Sequence, residues 1–122
     1  MTRILIVDDS PTLRRMLKRH LTSVGHEVIE AADGDAALQA LSSGSVRMVI
    51  SDVNMAPVDG FSLVTRIRQG HPRESLPILF FTTEASDEMK LRGRAAGANG
   101  WLTKPLVPAQ LDLALRHLLG AP

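Results

Sequence analysis

Apolar residues follow two rhythms along this chain. Short runs rich in Ile, Val, Leu and Phe occupy Arg3–Val7, Glu27–Ala31, Arg47–Ser51, Pro77–Phe81 and Asn99–Leu102, and each reads as a strand. Between them, apolar positions recur at helical spacing. Over 11–24 this puts Leu13, Met16, Leu17, Leu21 and Val24 on one face, with Arg14, Arg15, Lys18 and Arg19 opposite as a solvated face. Ser10 suits the N-cap, Pro11 the first helical position and Gly25 the stop. Further helices are predicted over 34–43 after Asp33, 60–69 before Gly70, 86–96 before Gly97, and 108–119 from Pro108 to Gly120. In the last, Leu111, Ala114, Leu115 and Leu118 form a core stripe, and Leu113 falls nearly opposite, toward solvent. Gly93 interrupts the fourth helix, either loosening it or permitting a close approach.

Strand and helix alternate throughout, a (βα)5 pattern. The first and third strands lack in/out alternation, as in a parallel sheet with helices on both faces. With right-handed crossovers the fold is a doubly wound α/β three-layer sandwich. Its 122 residues read as one domain, 44% hydrophobic and 22% charged. A net charge of +1 gives no basic field for nucleic acid. The absence of cysteine removes disulfides and thiolate metal sites. The four histidines lack ligand spacing and read as surface residues. No apolar run approaches membrane length, and no signal-peptide pattern opens the chain, so the expected location is the cytoplasm.

In such sheets ligands bind beyond the carboxyl ends of the strands. Asp8, Asp9 and Ser10 follow the first strand, and Asp52 leads "SDVNMAPVDG" after the third. Thr82 leads "TTEAS" after the fourth, and Lys104 and Pro105 follow the fifth. Three carboxylates, a hydroxyl and an ammonium would then face one crevice. Carboxylates so placed call for a cation, and Mg²⁺ suits an all-oxygen donor set. Asp9 and Asp52 are read as direct ligands, the Asn54 backbone carbonyl as a third, and Asp8 as acting through water. A cation and the Lys104 ammonium would let Asp52 attack phosphorus, with the Thr82 hydroxyl donating to a phosphoryl oxygen.

These residues carry a resemblance. Asp8-Asp9, Asp52, "VDG" at 58–60, Thr82, "GANGW" at 97–101 and Lys104-Pro105 together resemble the receiver domain of two-component response regulators, in its single-domain, CheY-like layout. The resemblance spans essentially residues 1–122 and implies a flavodoxin-like parallel sheet of order 2-1-3-4-5. It implies a phosphoryl group taken onto Asp52 from a sensor histidine kinase or histidine phosphotransfer protein, with the domain catalysing only its own phosphorylation and dephosphorylation, as a signalling switch rather than an enzyme. It further implies a switch through Thr82 and Trp101, and a downstream protein target on the surface of helix 4, strand 5 and helix 5. Asn54 and Glu84 occupy positions that tune phosphoryl lifetime. Lys104–Pro105 is expected to be cis, the basic first helix to lie against the kinase partner, and the chain to be a monomer or weak dimer in chemotaxis or another pathway.

Two positions depart from the family pattern. Proline usually follows the loop methionine, whereas here Met55 is followed by Ala56 and then Pro57. The residue after Thr82 is usually small, and Thr83 is expected to narrow access to Asp52. Other functions fit less well. A haloacid dehalogenase-type phosphatase wants a second aspartate where Asn54 stands, and a flavodoxin would not place "DDSPT" beside a phosphate. A receiver cut from a larger regulator or hybrid kinase fits the same residues.

Overall fold

A computed structural model describes residues 2–120. Strands β1 (Arg3–Val7), β2 (Glu27–Ala31), β3 (Met48–Ser51), β4 (Ile78–Thr82) and β5 (Gly100–Thr103) alternate with helices α1 (Pro11–Ser23), α2 (Gly34–Leu41), α3 (Gly60–Arg68), α4 (Asp87–Ala96) and α5 (Pro108–Leu119). All strands pair in parallel, in the order β2-β1-β3-β4-β5. Every residue of β3 and β4 is buried, which explains their unbroken apolar runs.

The pleat sorts the strand side chains into two cores. Ile4, Ile6, Met48, Ile50, Leu79 and Phe81 face α1 and α5, where Leu17, Leu21, Leu111 and Leu115 cover them. Leu5, Val7, Val49, Ile78 and Phe80 face the other way, against Ala37 and Leu41 of α2 and Leu63, Val64 and Ile67 of α3. Helix starts follow the capping chemistry in the sequence: Ser10, Asp33, Asp59 and Ser86 each accept a backbone N–H from the first turn they precede.

Several expectations shift. β3, β4 and β5 each begin one residue later than the apolar runs indicate; Pro77 has no N–H to give to a β4 ladder, and the β4–β5 pairing ends on Thr82 opposite Thr103. Thr82 is therefore the last strand residue and fully buried. The α1 stripe is narrower than its apolar residues: Leu17 and Leu21 reach the sheet, whereas Met16 is 48% exposed and Val24 lies outside. His20 is not a free surface residue, since its Nε2 lies 2.7 Å from Asp112 Oδ1 on α5. Leu113 is solvent-facing as its phase predicts, and Ala114 and Leu118 sit half-buried at the core margin. Gly93 permits a close approach: a Cβ there would lie 2.8 Å from Trp101 Cζ3 and 3.2 Å from Phe80 Cδ2. Both Lys104–Pro105 and Ala56–Pro57 are cis, the second in the loop where proline stands one place later than usual.

Candidate functional site

Three strand tips build a charged rim. Asp8 extends β1 by one rung, its N–H donating to Ala31 O at 3.1 Å. Its Oδ1 accepts from the Ser10 N–H at 2.8 Å, which turns the chain into α1. Asp52 likewise extends β3, donating its N–H to Val7 O at 3.0 Å. Its Oδ1 accepts from the N–H groups of Val53 (2.7 Å) and Asn54 (3.3 Å). Lys104 is held by its own N–H on Thr82 O at 2.8 Å. From there its Nζ spans the rim, 3.1 Å from Asp8 Oδ2 and 2.9 Å from Asp52 Oδ2. The carboxylates are only 3% and 8% exposed.

One ammonium thus serves two buried carboxylates. Burial pushes the Asp8 carboxyl above the usual range; the Ser10 N–H and Lys104 pull it back, and the Asp52 charge pushes it further up. Burial pulls Lys104 down, but its bonds to Asp52 and Asp8 outweigh that and leave it raised. Because the folded protein holds the Asp8 proton more tightly than the unfolded chain, ionised Asp8 costs stability at neutral pH. That cost disappears as pH falls through the raised folded pKa toward the unfolded value near 3.8. Asp8→Asn is therefore expected to stabilise the chelator-treated protein by about 1 kcal/mol at pH 7, and to flatten the acid-side gain. Urea unfolding at pH 7 and pH 4.5 checks both, and a less stable variant at pH 7 would count against the account.

Behind this rim lies a chain of bonds through Glu84. Its N–H donates to Thr82 Oγ1 at 3.3 Å, its Oε1 accepts from Asn54 Nδ2 at 3.3 Å, and its carbonyl accepts from Trp101 Nε1 at 2.9 Å. The half-buried Trp101 ring meets Phe80 edge-on at 5.5 Å and stacks on Phe61 at 6.5 Å. Gly60 closes the other side, where a Cβ would lie 2.2 Å from Asp52 O.

Asp8, Asp52 and Lys104 are thus brought together, with Thr82 at the neighbouring strand end. Asp9, Asn54 and Thr83 are exposed beside them, and Pro105 follows the lysine out of the rim. Among the described residues, no three His, Cys, Asp or Glu side chains form a ready-made metal cage. The donor chemistry nevertheless fits a hard divalent ion: Asp8, Asp9 and Asp52 offer only oxygen, and against Lys104 they leave an excess of two negative charges. Helical phase puts Arg14 on a solvated face and not at the site, yet its Nη1 donates to Asp8 O at 2.6 Å. Among the described residues no helix is long and apolar enough to cross a membrane.

The chain is similar in sequence and fold to known proteins. A chemotaxis protein CheY homolog of Campylobacter jejuni is 37% identical over 120 residues, 97% of this chain and 92% of that one. The solved structure of Vibrio cholerae chemotaxis protein CheY4 is 42% identical, covers 97% of this chain and 98% of its own, and superposes with a TM-score of 0.91. The response regulator TrrA of Thermotoga maritima, solved in complex with Mg²⁺-BeF, is 30% identical over 97% of this chain and 99% of its own, with a TM-score of 0.85. The family profile of the response regulator receiver domain matches residues 4–116, and the chain belongs to that family.

Proposed function

We propose that this receiver takes a phosphoryl group onto Asp52 from the phosphohistidine of a sensor histidine kinase or histidine phosphotransfer protein, in a Mg²⁺-dependent reaction. One observation carries the reading: the Lys104 ammonium bonds Asp8 and Asp52 at once, at the carboxyl rim where a ligand enters. An Asp52 carboxylate oxygen attacks phosphorus. The O–P bond forms as the P–N bond breaks, and the electron pair leaves on the imidazole, which takes a proton from water. Lys104 exchanges a carboxylate for an incoming phosphoryl oxygen, neutralising charge where it develops. The Thr82 hydroxyl accepts from the Glu84 N–H, so its own proton is free to donate to another phosphoryl oxygen. Asp9, Asp52 and the Asn54 carbonyl would hold Mg²⁺, with Asp8 through water, and the ion supplies Lewis-acid neutralisation of the phosphoryl group when bound. The TrrA structure with Mg²⁺-BeF supports that assignment by likeness.

Two surfaces support the partner reading. Thr12, Arg15, Met16, Arg19, His20 and Leu106 line a groove of about 570 Å³ on α1, a surface for the histidine-bearing partner. When Thr82 turns to the phosphoryl group, its bond from Glu84 is disturbed. Glu84 in turn holds Trp101, which packs under α4, so the change reaches the α4–β5–α5 face where a downstream protein binds.

Incubation with acetyl phosphate and MgCl₂ tests the proposal. The intact mass should rise by one phosphoryl group, removable by hydroxylamine and mapping to Asp52, and EDTA should prevent the gain. No gain, or a modification elsewhere, would overturn it.

A further inference from the structure

Asp9 poses an orientation problem. Asp8 and Asp52 are fixed by Lys104 and by backbone N–H groups, but Asp9 is exposed, and no hydrogen bond among the described residues holds its carboxylate. The direction in which its Cα–Cβ bond leaves the chain is set by the backbone of this turn, of which the Asp8–Asp9 peptide is part. One face of that turn is fixed by the Asp8 N–H on Ala31 O and the Ser10 N–H on Asp8 Oδ1. The carbonyl of the peptide itself is held by Arg14 Nη1, at 2.6 Å.

Arg14 is built for this. Its backbone N–H donates to Ser10 O at 3.1 Å, so main chain and side chain clasp the turn from both ends. Its Nε bonds Glu30 Oε1 of β2 at 3.2 Å, and Lys18 Nζ lies 3.7 Å from the other Glu30 oxygen. The Arg14 side chain is only 16% exposed, against 53% for Lys18 on the same helix. The planar fork reaches carbonyl and carboxylate together, which a lysine ammonium on its flexible stem does not.

We propose that Arg14 is a positioning residue for divalent-cation binding: it fixes the Asp8–Asp9 peptide so that Asp9 presents its carboxylate beside Asp52. The inference rests on the cation site of the preceding reading. It also has a distinctive sign. A guanidinium near a divalent cation repels it, so neutralising Arg14 by charge alone would tighten binding, and a purely structural residue would leave it unchanged. Positioning demands that binding weaken.

The test is cation affinity without phosphodonor, using Mn²⁺ followed by electron paramagnetic resonance and Mg²⁺ by calorimetry, on the full chain as wild type, Arg14→Met, Arg14→Lys and Asp9→Asn. Arg14→Met is expected to weaken binding about tenfold, the low end for residues that orient ligands. Arg14→Lys, which keeps the charge and the fold-stabilising stem, should fail to restore it. Equal or tighter binding by Arg14→Met, or full rescue by lysine, overturns the inference while leaving the receiver reading intact. Should Arg14→Met not fold, the lysine variant decides alone. A wild type that binds neither ion overturns both readings, and binding unaffected by Asp9→Asn overturns this one.

Discussion

Lys104→Met should destabilise the metal-free protein by about 2–3 kcal/mol at pH 7, below the range for breaking a fully buried pair because the Lys104 side chain is 17% exposed. Methionine keeps most of the stem's volume, so the loss reports charge rather than packing. Two carboxylates that share one ammonium would be left without it. The pH dependence follows from the raised Lys104 pKa. Its stabilisation is fully present below the unfolded lysine value, near 10.5, and is lost as pH rises through the folded value. Wild type therefore loses stability on the alkaline side, a loss Lys104→Met lacks. Urea unfolding from pH 5 to pH 11 reads both effects. In an Asp52→Asn background the same substitution should cost less, because one of the stranded charges is gone. Equal costs in the two backgrounds would show that lysine and aspartate are not energetically coupled. If the proposed function holds, phosphorylation by acetyl phosphate also slows by about 10²–10³-fold in Lys104→Met, the range for removing one donor to developing charge.

The sequence exposes the parts of this site that depend on topology. A (βα)5 rhythm and the carboxyl-edge rule are enough to bring Asp8, Asp52 and Lys104 to one rim, because each directly follows a strand. What stays hidden depends on frames and reach. Thr82 reads as a loop residue until the Thr82–Thr103 pairing places it inside β4. Arg14 falls on the solvated face by helical phase, yet side chains in a helix lean toward its N-terminus, and from the first turn of α1 that direction leads to Asp8. His20 meets a partner 92 residues away, which no local pattern records. Gly93 is ambiguous as a letter; only Trp101 packed against it decides between a loose helix and a close approach.

Gly60→Ala should be severely damaging, costing about 3 kcal/mol or more. Gly60 opens α3, and its N–H donates to Val53 O at 2.8 Å, drawing the helix start onto the strand tip. A Cβ built there lies 2.2 Å from Asp52 O, 2.8 Å from Val53 Cα and 2.9 Å from Phe80 Cε1. Two of the three obstacles are backbone, so no side-chain rotation relieves them, and the third ring is fully buried. The gain of about 1 kcal/mol that alanine brings to a helix interior is too small to offset the clash. Relief requires the Asp52–Val53 peptide to move, and the Asp52 carboxylate moves with it. The variant should therefore lose its lysine-coupled stability and its capacity for phosphorylation together. Gly70→Ala is the control: nothing lies within 4 Å of a Cβ there, and it should change stability by less than about 0.5 kcal/mol. Denaturant midpoints for the two variants separate a steric effect at Asp52 from a general intolerance of alanine, and comparable losses at both positions would remove the case for a close approach at Gly60.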